Sequence, residues 1–414
     1  MTKNWRLLIA FGLGAAGGFG AGCQTYDFEP VEPLAIAQTT QSKTVIAKQS
    51  KPNLMLLVDK SGSMDQPTNP ADSRCPSGCG SSKSNLCPAN CPTRWSELQN
   101  AMGTFLSNNG TVARMGMTAY PVDNTCGAPT AVRIELSNSN DVDAELKAKA
   151  SEINAAIQGI SSAGAAGTPN GTGGGTPTSV SLNALSAYAP LSDPNREDFI
   201  LVLTDGLPNC NPQNANSCSN AAACKCTLAN GNCGTPGSQF CTLGCLDLAG
   251  SVNAVTALRA KQIRTIMVGF GADTASGDGP TVLNAMAEAG GFARACPNAT
   301  DAECGGAVGS CDQGSKLCTT KFYQASNGAE LASALAQIGQ LVGTGDPCVY
   351  TLESVPSDPR FLSVLIDGQP TASGPDTWKY EAGKVTFTGA LCLKVSNATP
   401  NAPVKVEFRI VEGL

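Results

Sequence analysis

Apolar residues along this chain fall into two rhythms that take turns. Unbroken apolar runs, among them Leu54-Met55-Leu56-Leu57-Val58 and Phe199-Ile200-Leu201-Val202-Leu203, read as strands buried on both faces. Between such runs lie stretches whose apolar positions recur three and four apart. Leu331, Leu335, Ile338 and Val342 mark one helical face in this way. The pattern predicts strands over 53–58, 113–120, 131–136, 198–204, 264–270 and 321–325. It predicts helices near 94–108, 141–160, 177–188, 246–262, 280–289 and 328–342. Strand and helix in alternation imply an α/β fold, a sheet sandwiched by helices, with ligands expected outside the carboxyl ends of the strands. This domain is expected over 51–345. Beyond it, 346–414 holds β-branched and aromatic runs at 361–366, 378–388 and 403–411, broken by turn residues. That composition reads as a small antiparallel β-rich module.

Asp59-Lys60-Ser61-Gly62-Ser63 stands where the first apolar strand ends. A carboxylate and two hydroxyls in alternate positions offer half of an oxygen-only cage for a hard divalent cation. Gly174-Gly175-Thr176-Pro177-Thr178 opens a later helix, and Thr204-Asp205-Gly206 closes a second apolar strand. Each piece alone reads as an ordinary turn, cap or flexible loop. Together they offer Asp59, Ser61, Ser63, Thr176 and Asp205 to one point.

In this order and setting, these residues resemble the metal-ion-dependent adhesion site of von Willebrand factor A domains, including the inserted domains of integrins. The resemblance implies an A-domain fold in which Ser61 and Ser63 touch the metal directly. It implies that Thr176 does so directly or through water, and Asp59 and Asp205 mainly through water. One coordination position is left for a ligand carboxylate. Mg2+ is the expected cation, with Mn2+ or Ca2+ as alternatives. In the integrin-like relatives the last helix slides and switches the site between weak and strong binding; here that helix is 328–342.

Composition narrows the classes further. A formal charge of −6 without a basic block argues against nucleic acid as a partner. The chain has no histidine, which removes Ser-His and Cys-His nucleophiles and every imidazole zinc site. No base accompanies the hydroxyls, so no catalytic residue is assigned and the chain is expected not to be an enzyme. Lys3 and Arg6 precede an apolar, glycine-rich stretch that ends at Cys23. This resembles a bacterial lipoprotein signal over 1–22, although Gly20 stands where Leu is usual. Cys23 would carry the lipid, Gln24 would direct the protein to the outer membrane, and 23–50 would be a tether. No other stretch is long and apolar enough to span a membrane.

Nineteen cysteines suit an oxidising compartment, and eighteen remain after Cys23, enough for nine disulfides. Cys75, Cys79, Cys87 and Cys91 form one group, and Cys296, Cys304, Cys311 and Cys318 another. Cys348 and Cys392 make a pair. Cys210, Cys218, Cys224, Cys226, Cys233, Cys241 and Cys245 are seven, so Cys126 is expected to bond into 210–245. A thiolate zinc site in the first group is the alternative, disfavoured by export. The insertions 65–93 and 207–245 follow Ser63 and Asp205, so both should wall the site; 292–320 precedes a strand and should lie at the opposite end.

Signal, acylated cysteine, cysteine-rich A domain and β tail together are similar to the adventurous-gliding lipoproteins of myxobacteria. That resemblance implies a lipid-anchored outer-membrane adhesin at the cell surface. It would bind an extracellular substratum or acidic ligand and join outer-membrane gliding machinery proteins at focal adhesions. An envelope scaffold docking a neighbouring protein through the A domain is the alternative.

Overall fold

The structure, a computed structural model, describes residues 40–413 apart from short segments at 46, 49–50, 139–140, 167, 194–195, 221, 229–232, 235, 239, 344–347, 353–354, 382 and 397–403. The expected signal over 1–22, the Cys23 acylation site and the tether up to residue 39 lie outside the described residues. In chain order the main elements begin with strands β1 (Thr40–Val45), β2 (Ala47–Lys48) and β3 (Asn53–Asp59). Helix α1 (Arg94–Asn109), strand β4 (Arg114–Tyr120), helices α2 (Asp143–Gln158) and α3 (Thr178–Ser186), and strand β5 (Asp198–Thr204) follow. Then come α4 (Leu248–Ala260), β6 (Ile263–Phe270), α5 (Gly279–Ala289), β7 (Tyr323–Ala325) and α6 (Gly328–Gly343). The last part holds β8 (Val349–Leu352), β9 (Leu362–Ile366), β10 (Gln369–Thr371), β11 (Trp378–Glu381), β12 (Lys384–Phe387), α7 (Gly389–Ser396) and β13 (Val406–Gly413).

β3 is buried along its whole length because it lies inside a parallel sheet of order β4-β3-β5-β6-β7. Its side chains alternate between two cores, as a pleated strand requires. Leu54, Leu56 and Val58 meet α1, α2 and α6 through Trp95, Phe105, Ile153, Leu335 and Ile338. Met55 and Leu57 point the other way, into a core shared with α3, α4 and α5. The α6 stripe Leu331, Leu335, Ile338 and Val342 is fully buried, as its spacing predicts. This sheet with helices on both faces is the α/β architecture expected from the sequence.

Chain order places the switch in winding direction between β3 and β5, the crevice where open α/β sheets take ligands. Residues 131–136 do not form the predicted strand. Only Ile134 bridges Met117, antiparallel, through paired hydrogen bonds of 2.8 Å. The Leu136 N–H, due to pair with Met115, goes instead to the Tyr188 hydroxyl at 3.2 Å, and Ser137, one residue out of step, donates to the Met115 carbonyl at 3.3 Å. The crossing is close: a Cβ on Gly116 would lie 2.9 Å from the Leu136 nitrogen.

The β-rich module is two four-stranded sheets, β1-β13-β9-β10 and β11-β12-β8-β2, enclosing Val364, Trp378, Val385, Phe387 and Phe408. β1 runs antiparallel to β13 from Thr40 opposite Gly413 to Val45 opposite Phe408, and β2 pairs with β8. The segment expected to be tether up to residue 50 therefore contributes a strand to each sheet over 40–48. Its sequence, Thr-Gln-Ser-Lys-Thr-Val, gives little strand signal because the edges it completes lie more than three hundred residues away in β8 and β13. The chain thus starts the module, leaves to build the parallel-sheet domain, and returns to finish it.

Candidate metal centre

Asp59 ends β3 with no exposed surface. One carboxylate oxygen accepts the Ser61 N–H at 2.8 Å, which turns the chain sharply; the other accepts the Thr204 hydroxyl at 2.7 Å, which ties β3 to β5. The turn brings the Ser61 and Ser63 hydroxyl oxygens within 3.1 Å of each other. Ser63 then donates to Asp205 Oδ1 at 3.0 Å. Thr176 reaches the same place from its own loop, where the Asn209 side chain accepts its N–H at 2.7 Å and its carbonyl accepts the Asn209 N–H at 2.9 Å. Gly206 leaves the approach open: a Cβ there would stand 3.7 Å from Ser63 Oγ and 3.9 Å from Thr176 Oγ1.

Desolvation dominates the electrostatics. Burial, then the nearby Asp205 charge, pushes the Asp59 carboxyl up to about 7. Asp205 is raised as well, chiefly by burial, against the opposing pull of Arg94. Arg94 is itself buried and donates from Nη1 to Asp205 Oδ2 at 2.7 Å. Two desolvated acids and a set of hydroxyl ligands, all oxygen, fit a hard divalent cation, whose charge would offset the desolvation that raises both carboxyls.

A cavity of about 780 Å3 lies over these groups, with Ser61, Ser63 and Thr176 in its wall and the two acids behind them. Its other walls include Gly80 to Lys83 of the first cysteine-rich insertion and Cys226 to Leu228 of the second. Residues 292–320 contribute none of its lining among the described residues. Phe292 packs edge-on against Phe199, at the start of β5, with ring centres 5.7 Å apart. The third insertion therefore begins at the opposite end of the strands.

Specific contacts hold the walls. Lys83 donates to Asp65 at 2.7 Å and to Thr172 at 2.6 Å, pinning the first insertion to the turn after Ser63. Lys60, buried inside the motif, donates to the carbonyls of Thr168 and Gly171 at 3.0 and 2.8 Å. It thereby anchors the loop that leads to Thr176. The first cysteine group pairs as Cys75–Cys91 and Cys79–Cys87, so no thiolate is free for zinc. Cys126 bonds to Cys210, and the remainder of that segment pairs as Cys218–Cys241, Cys224–Cys245 and Cys226–Cys233. Cys296–Cys311, Cys304–Cys318 and Cys348–Cys392 complete the set.

All five side chains singled out in the sequence gather at this end of the sheet. Arg94, Thr204 and Asn209 did not emerge from it. Thr204 adjoins Asp205 in the strand-end motif, so its hydroxyl could have been read there. Arg94 and Asn209 carry no local signal, because each meets its partner only through the fold.

No protein-family model and no curated protein matches the chain. Among solved structures it aligns with the PilB minor pilin from Streptococcus sanguinis at 15% identity and a TM-score of 0.39, over 72% of this chain and 62% of the pilin. The pilus adhesin SpaC from Lactobacillus rhamnosus GG, in its open conformation, aligns at 11% identity and a TM-score of 0.39, over 90% of this chain and 42% of the adhesin. Manganese-loaded Plasmodium vivax TRAP protein aligns at 15% identity and a TM-score of 0.28, over 56% of this chain and 61% of that one. The chain spans about three fifths of the pilin's length. At such scores the fold is defined by this chain's own strand order, helix layers and crevice, and by no relative.

Proposed function

We propose that this protein is a cell-surface adhesin that grips an acidic group of an external ligand through a divalent cation. Asp59, Ser61, Ser63, Thr176 and Asp205 would hold the cation. When bound, it would supply positive charge and one exchangeable coordination position facing the cavity. The observation that carries this reading is the cavity itself, which has the three hydroxyl residues in its wall, two buried acids behind them and two disulfide-tied insertions around them.

The chain's own groups do the preparatory work. Asp59 and Thr204 lock the two strand ends together, Asn209 fixes Thr176, and Lys60 and Lys83 fix the loops on either side. Disulfides keep those Gly-, Ser- and Asn-rich loops shaped before a ligand arrives, lowering the ordering cost of binding. Lipid anchoring through Cys23, an outer-membrane location and linkage to a gliding machinery are part of the proposal and follow from the sequence resemblance.

Replacing Asp59 with Ala, and separately with Asn, tests the reading when surface attachment and protein level are measured together. The expected result is lost attachment in both variants, with the Asn protein at an unchanged level. Attachment that persists in both variants, or that falls only with the amount of protein, would refute it.

A further inference from the structure

We propose that Arg94 sets the charge of the metal centre, weakening its hold on the cation and strengthening its hold on an acidic ligand. This rests on the adhesin reading above and deepens it by assigning the balance to a residue outside the ligand set.

Arg94 is the first residue of α1, placed by the reciprocal Thr93–Ser96 capping hydrogen bonds. Its side chain is 5% exposed, and it bridges two acids: Nη1 lies 2.7 Å from Asp205 Oδ2 and Nη2 lies 2.9 Å from Asp273 Oδ2. Both terminal nitrogens of the guanidinium are paired, while its buried Nε has no hydrogen-bond partner among the described residues. Gly271 passes over it at a φ of +91°, and a Cβ there would stand 3.2 Å from Arg94 Nε. Burying a guanidinium is costly unless it is paired, and this one is paired to a carboxylate of the candidate site.

Two consequences follow for a bound divalent cation. Asp59 and Asp205 cancel its two charges, so Arg94 leaves one positive charge over, which a ligand carboxylate then neutralises. Arg94 also occupies Asp205 Oδ2 with a charged hydrogen bond, so Oδ1, the oxygen that accepts from Ser63, would be the one left to serve a cation. Without the guanidinium the cation meets a more negative site and a carboxylate free to offer a second oxygen. It binds more tightly and attracts an acid less. Asp273, 58% exposed and in the cavity wall, acts in the opposite sense by offsetting part of the Arg94 charge.

Mn2+ affinity and bound-water count, read by water-proton relaxation at fixed ionic strength, followed by titration with acetate, test this on the purified protein. R94Q is expected to bind Mn2+ about tenfold tighter and acetate about tenfold weaker, and R94K to restore most of both. D273N, altering an exposed side chain, is expected to move both affinities the other way. A purely structural role for Arg94 would lower both together in R94Q. That outcome, or no change in either affinity, overturns the proposal. Should R94Q fail to fold, D273N decides alone, and affinities that stay fixed or move in the same direction overturn it. A wild-type protein that binds no Mn2+ would instead remove the metal centre, and this proposal with it.

Discussion

Each oxygen of the Asp59 carboxylate already has a partner, the Ser61 N–H and the Thr204 hydroxyl, so the residue is a structural clamp as well as a candidate ligand. Asp59→Ala leaves the buried Ser61 N–H without its acceptor and the Thr204 hydroxyl with only the Gly206 carbonyl at 3.3 Å, at about 1–3 kcal/mol. Asp59→Asn keeps an acceptor for Ser61, removes the charge and turns an amide NH2 toward Thr204, whose hydroxyl still has the Gly206 carbonyl at 3.3 Å to donate to. Chemical denaturation without added cation is therefore expected to show Asn close to wild type and Ala below it. Asp59 also has a pH signature. Its carboxyl is raised in the folded state to about 7 from an ordinary 3.8, so the folded state binds its proton more tightly than the unfolded chain does. Its contribution to stability is present below the ordinary value and is lost as pH rises through about 7. The cation-free protein should melt at a lower temperature at pH 8 than at pH 5, Mn2+ should narrow that gap, and Asp59→Asn should shrink it. Asp198, raised to about 7 at the other end of β5, and Asp205, raised by its burial, supply the part that remains. A wild-type melting temperature independent of pH would contradict this account. The legibility of the site follows the same lines. Asp59, Ser61 and Ser63 could be read because one short turn carries them. Arg94 could not, since 111 residues separate it from Asp205.

Helices and fully buried strands were largely readable from periodicity because both sheet faces are covered, which forces long apolar runs and clear helical stripes. Residues 131–136 misled because edge pairing depends on the distant Tyr188 hydroxyl that takes the Leu136 N–H, and no local pattern records that. The insertions were legible in position and cysteine grouping, but four thiols allow three pairings and only the fold selects one. Cys126–Cys210 joins the loop after β4 to the second insertion beside the cavity, closing 84 residues. Replacing both cysteines with serine is expected to cost about 2–4 kcal/mol in denaturant unfolding. Hydrogen exchange should rise around 207–228 while α1 and α6 stay protected. Uniform exchange across the domain would show that the bridge does not act locally. In the core of α6, Leu335→Ala should cost about 2–5 kcal/mol, since the side chain is fully buried between the sheet and α1.

At the scale of the whole molecule, both connections of the parallel-sheet domain lead into one β sandwich, because β1 and β2 belong to the same two sheets as β8 to β13. A load between a ligand at the cavity and the amino-terminal end of the chain would therefore pass through the sandwich. Deleting residues 40–48 should expose the edges of β13 and β8, lower the melting transition of the sandwich and leave Mn2+ affinity unchanged. Calorimetry and relaxation titration would check the two halves of that statement. This closure by distant ends was the least legible feature, since a short polar strand is specified by its partners rather than by its own sequence.

The account depends on Asp59, Ser61, Ser63, Thr176 and Asp205 surrounding a cation that still has a coordination position open to the cavity. Anomalous diffraction from crystals grown with Mn2+ tests it most directly. The account predicts a single strong peak among these five side chains, with a water or a carboxylate from outside the chain on its cavity side. No peak there, or a peak whose coordination is closed by the protein's own loops, would contradict it.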